Sequence, residues 1–197
     1  MEMTKQRMMK LAGILNESAN GLPINEVSTS DLNSTIKYFT DFKKYMTITC
    51  DQTLAALKKT NPDPKEVASI FTPPARKLTS IDPLIKDWVQ YCLKGSTRRP
   101  GSAPIFSEKN FSPKRIKSVI KYFEDIKKYS ISSSDKAILG LQKVKSLGKK
   151  ATDDDIELVQ DAWSKDAFKM QSMDSSFERW WDWCVNEIFY SLYSENQ

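Results

Sequence analysis

The chain has 197 residues, 40% of them apolar, and carries 21 aromatic side chains. That is enough for an ordinary core and too much for a wholly disordered chain. It contains no histidine, which removes the commonest general base near neutral pH, every Ser-His-Asp or Cys-His arrangement, and every histidine-based metal site. The net charge of +5 hides a segregation, because residues 111–150 carry net +8 and residues 151–197 carry net −8. Such a chain is strongly polar if these stretches form separate surfaces, and much less so if they pack on each other.

No run of 18 apolar residues is present, so integral membrane association is not expected. The opening residues include Lys5, Arg7 and Lys10 and lack the continuous apolar run of a secretion signal. Cys50, Cys92 and Cys184 sit inside helical patterns, without C-x-x-C spacing, and read as buried small hydrophobes. Together these features point to a cytoplasmic or other reducing compartment. Neither G-x-x-x-x-G-K-[ST] nor G-x-G-x-x-G occurs among the six glycines, so no phosphate loop is expected. The expectation is a chain with no catalytic residues, cofactor or metal.

In chain order, the first element is an amphipathic helix from about Thr4 to Glu17, within a lead region of residues 1–20. Its sequence, TKQRMMKLAGILNE, resembles the lead segment of small tailed-phage proteins. The resemblance covers 14 residues and implies a phage-encoded virion component or host-directed binder, with no catalytic residue to carry over.

An internal repeat organises the remainder. STIKYFTDFKKYMTITCDQTLAALKK, from Ser34, aligns without a gap on SVIKYFEDIKKYSISSSDKAILGLQK, from Ser118, at an offset of 84. TSIDPLIKDWVQYC aligns on QSMDSSFERWWDWC at an offset of 92, matching Asp82 with Asp174, Trp88 with Trp180 and Cys92 with Cys184. Two ordered blocks imply a duplicated helical module, with copies at 28–94 and 112–192 joined by a linker or surface loop at 95–111.

Each copy is expected to begin with a capped helix, at Ser28 and at Ser112-Pro113. The MTIT and SISS stretches read as turns into second helices near Asp51–Lys59 and Asp135–Lys145. A third helix should start near Pro64 and break around Pro73-Pro74. Its counterpart starts at Thr152, with Asp155 completing a near capping box. Asp153, Asp154 and Asp155 there suit the positive end of a helix dipole, whereas a cation site would need further oxygen ligands from elsewhere. Fourth helices follow Asp82 and Asp174. The expected fold is therefore all-α, about nine helices in one or two bundles.

Two surfaces emerge as candidates. Arg98 and Arg99 in the linker, with Lys114, Lys117, Lys121 and Lys128 along one helix face, could meet regularly spaced phosphates. Trp183, about 200 degrees around its helix from Trp181, and Tyr190, seven residues on, could meet a second helix or subunit. The leading expectation is a noncatalytic interaction or structural protein acting through a protein partner or self-association. The alternative is nonspecific nucleic-acid binding through residues 94–128.

Overall fold

The computed structural model describes residues 28–95 and 103–193, in which every regular element is a helix. The lead helix expected at residues 4–17 and the pair Arg98 and Arg99 lie outside the described residues. Six α-helices are present: α1 Thr29–Leu57, α2 Pro64–Ile81, α3 Lys86–Lys94, α4 Ile116–Leu147, α5 Asp153–Met173 and α6 Glu178–Trp183. A π-helical turn, Cys184–Phe189, and a 3-10 turn, Tyr190–Leu192, extend α6.

This corrects the expectation of about nine helices in a duplicated module. MTIT and SISS are not turns but the middles of α1 and α4. Their hydroxyls bond back to their own helices: Thr47 to the Lys43 carbonyl, Thr49 to Tyr45, Thr53 to Thr49, Ser130 to Lys127 and Ser133 to Ser130. A hydroxyl satisfied in this way can be buried inside a helix. Thr49, Thr53, Ser130, Ser133 and Ser134 are all buried. The expected break at Pro73-Pro74 is also absent. α2 runs through both prolines, with Phe71, Pro74, Ala75 and Leu78 buried along it, so tertiary packing holds a helix that local propensity would end.

α4 begins at Ile116, later than Ser112-Pro113 implies. The Ser112 hydroxyl donates to the Lys109 carbonyl, and its own carbonyl accepts from Arg115 and Ile116. Ser112 thus closes a turn ahead of the helix. Two caps act as read: Ser28 accepts from Asp31, and Thr152 forms a reciprocal capping box with Asp155. The cap of α2 is Asp63, which accepts from Lys65 and Glu66 and was not singled out from the sequence.

α1 and α4 run antiparallel along their length. Lys145 reaches Asn33 at one end, Lys43–Asp135 and Lys127–Asp51 bridge the middle, and Lys58–Glu124 closes the other end. α4 packs in turn on α5, and α1 on α2. The two matched sequence stretches thereby interleave around one core, and no clear internal duplication stands as a unit of architecture. Residues 103–111 add to that core. Ile105 and Phe106 are buried, and the Phe106 ring stacks on Phe123 at 5.7 Å.

α4 and α5 pack tightly at Gly140. A Cβ placed there would lie 2.6 and 2.8 Å from the two methyls of buried Val159. Valine is stiff at χ1 and cannot swing away cheaply, so overpacking of about 1–3 kcal/mol outweighs the helix propensity gained, about 1 kcal/mol. Gly140→Ala should lower the unfolding midpoint in denaturant. In the Val159→Ala background the same change should be neutral or stabilising, and a double-mutant cycle measures the difference.

Candidate interaction surfaces

Asp82 and Asp174 follow α2 and α5, and each caps a short 3-10 turn by accepting an amide, Leu84 at 2.8 Å and Ser176 at 2.9 Å. A tyrosine reaches each carboxylate from a long helix. Tyr38 of α1 donates to Asp82 at 2.6 Å, and Tyr122 of α4 donates to Asp174. Each phenol oxygen also accepts an indole N–H at 2.9 Å, Trp180 on Tyr38 and Trp88 on Tyr122. Three elements from distant parts of the chain therefore meet at each hydroxyl.

Burial pushes the pKa of both tyrosines well above the ordinary phenol value, with the charges of neighbouring thiol and carboxyl groups adding to it. Burial also raises Asp82, against the opposing hydrogen bonds of Tyr38 and the Leu84 amide. Cys50, Cys92 and Cys184 are buried free thiols, and burial raises all three. None has the lowered pKa of a reactive cysteine. Among the described residues no group of three or more potential metal ligands converges, and the Asp155 carboxylate is engaged at the Thr152 amide and hydroxyl.

The candidate basic stripe is exposed. Lys117, Lys121 and Lys128 face solvent from one side of α4, and Lys114 is exposed in the turn that precedes it. Lys121 pairs with Asp125 at 2.7 Å, and the Lys128 ammonium lies 5.4 Å from the Tyr129 ring centre. Lys114 and Lys117 have no ion pair among the described residues. Other cations are used within the fold. Lys136 of α4 and Lys169 of α5 converge on buried Asp166 together with the Ser132 hydroxyl. Burial alone would raise that carboxyl, but these three donors hold it far below the usual carboxylate range.

The aromatic candidates separate. Trp183 is half-buried and meets another helix of its own chain, edge-on to Tyr38 at 5.6 Å. Tyr190 is 47% exposed, with its ring 6.2 Å from Tyr193. Sequence periodicity did not single out Leu139, Leu158 and Phe168, which are 67%, 68% and 54% exposed. Their signal was present as apolar residues off the buried faces of α4 and α5. Leu158 stands beside a groove of about 190 Å³ whose lining includes Gly140, Val144, Leu147, Val159 and Ala162, with Lys136, Lys143 and Asp155 at its edge.

No family model, curated protein or solved structure matches the chain. Among the described residues no helix is long and apolar enough to cross a membrane.

Removing either phenol oxygen leaves a buried indole N–H and a carboxylate short of a partner. Tyr38→Phe and Tyr122→Phe should each cost about 2 kcal/mol, measured by chemical denaturation. The raised pKa values set the sign at alkaline pH. These groups contribute stability that is fully present below their unfolded values, about 8.5 for thiols and 10 for phenols, and that is lost as pH rises toward the folded values. Melting temperature should therefore fall from about pH 8.5 upward and more steeply above about pH 10. The steeper phase should be reduced in the two phenylalanine variants.

Proposed function

We propose that the chain is a noncatalytic helical interaction protein that docks a protein partner on the outer surface of α4, α5 and the C-terminal turns. One observation carries this reading. The five large apolar side chains left exposed among the described residues are Leu139, Leu158, Phe168, Met173 and Tyr190, and all lie in the second half of the chain. α1, α2 and α3 leave none. Exposed apolar and aromatic side chains confined to these elements favour protein contact there over a purely solvated surface. The resemblance of residues 4–17 to small tailed-phage proteins supplies a setting, a virion component or host-directed binder.

A charge placed on this surface should leave the fold intact and remove the partner. Leu139→Asp combined with Leu158→Asp should retain helicity and melting temperature and weaken capture of a stoichiometric partner at least tenfold, about 1.4 kcal/mol. Equal capture by both proteins would overturn the reading, as would a stable monomer that captures no protein.

The exposed stripe supports a second reading, nonspecific nucleic-acid binding. Lys117 to Lys128 spans about 17 Å of helix, with Lys114 in the turn just before it, long enough to meet several phosphates of a backbone. Lys114→Glu with Lys117→Glu should weaken binding of short DNA or RNA regardless of sequence and reduce the salt slope by about two. No binding by the unaltered chain even at low ionic strength would eliminate this function.

A further inference from the structure

Leu139 and Leu158 share one exposed face. Val159 of α5 meets Gly140 of α4, and Asp166 meets Lys136 and Ser132, so α5 runs back antiparallel along α4. Each leucine stands one residue before the Gly140–Val159 contact. One residue is a turn of about 100 degrees, and in antiparallel neighbours the two turns end on the same side. The groove of about 190 Å³ runs between the helices there, with Leu158 in its lining and Lys136 and Lys143 at its edge.

Charges of opposite sign border the two leucines. Lys136 and Lys143 lie three residues before and four after Leu139, while Asp154 and Asp161 lie four before and three after Leu158. These are the spacings of neighbours on a helix surface. Taken antiparallel, lysine-leucine-lysine on α4 therefore matches aspartate-leucine-aspartate on α5 position for position. Lys136 already serves Asp166, whereas Lys143, Asp154 and Asp161 are exposed and have no ion pair among the described residues.

We infer that the partner covering this face is a second copy of the chain, related by a two-fold axis that runs along the helices between α4 and α5. A half-turn about that axis lays α4 of one copy antiparallel on α5 of the other at the same level. Leu139 then meets Leu158 of the partner subunit, and Lys143 comes beside Asp154 of the partner subunit, each contact occurring twice. A face with lysines on one helix and aspartates on the next is its own complement after a half-turn, and this favours a second copy over a partner of single charge sign. The face is about 30 Å long and two helices, about 20 Å, wide. It would bury about 600 Å² on each copy, the lower end of stable interfaces, so a dimer that exchanges at micromolar concentration is expected.

The inference names the partner of the docking surface and rests on that reading. Sedimentation velocity of the full chain, from low to high micromolar concentration, should show a shift from monomer to dimer. Lys143→Glu and Asp154→Lys each set like charges together in both halves of the pair, and each should weaken the dimer at least tenfold. An equimolar mixture of the two variants should recover it, because both 143–154 pairs of the mixed dimer again carry opposite charges. Recovery on mixing cannot come from a variant that fails to fold.

A chain that stays monomeric at high micromolar concentration would overturn the inference. If the Leu139→Asp and Leu158→Asp variant still loses capture of a different protein in that case, the docking reading stands with another partner. A dimer that survives those two aspartates, or charge variants that dimerise unchanged or stay apart when mixed, would also overturn the inference by placing the self-contact elsewhere.

Discussion

Two buried phenol oxygens hold the parts of this bundle in register. Each is a junction of three groups that cannot be separated cheaply: a carboxylate that caps a turn, a tyrosine on a long helix, and an indole on a short one. Tyr38 joins α1 to the Asp82 turn and to Trp180, whereas Tyr122 joins α4 to the Asp174 turn and to Trp88. Hydrogen bonds of this kind contribute little net energy when made and cost much more when one partner is lost in a buried site. They therefore act mainly by making other placements of the short helices expensive. Ring packing follows from that placement, with Trp180 stacked on Phe42 at 4.9 Å and Trp88 edge-on to Phe71 at 5.4 Å.

Much of the junction recurs as letters in the sequence, Tyr38 and Tyr122 at one place in the matched long-helix stretches and Asp, Trp and Cys at matching places around the short ones. Their bonding was not legible, because a tyrosine, an aspartate and a tryptophan with compatible spacing have many arrangements that satisfy the same residues. The helix count failed for a related reason. Thr47, Thr49, Ser130 and Ser133 resemble turn residues when judged by local propensity, but their hydroxyls can be satisfied by the preceding helical turn. Once satisfied, their small side chains suit the interior between α1 and α4. Local pattern located caps such as Ser28 and Thr152 because a cap is decided by neighbours three residues away. It could not decide whether two helical runs were one helix.

Charge shows the same separation of local and tertiary effects. The basic α4 stretch and the acidic α5 stretch are opposed, and part of their segregation is neutralised where the helices meet. Asp166 draws Lys136 and Lys169 together, while Asp51 of α1 takes Lys127. Lys127 cannot then serve the exposed stripe, although it lies one residue from Lys128. What is left for external anions is narrower than the sequence count, chiefly Lys114, Lys117 and Lys128.

The apolar surface follows the opposite logic. Sequence periodicity favours residues that match the buried face of a helix, so it rewards Val159 and Trp163 and passes over Leu158. A leucine one position off the face adds little to folding and leaves apolar area in water, a cost of about 25 cal/mol for each square ångström left uncovered. Leu139 and Leu158 carry that cost on adjoining helices, next to a contact so close that Gly140 has no room for a side chain. Tight packing there fixes the relative position of α4 and α5. The exposed leucines are consequently presented on a rigid support, and rigidity lowers the entropy lost when a partner covers them.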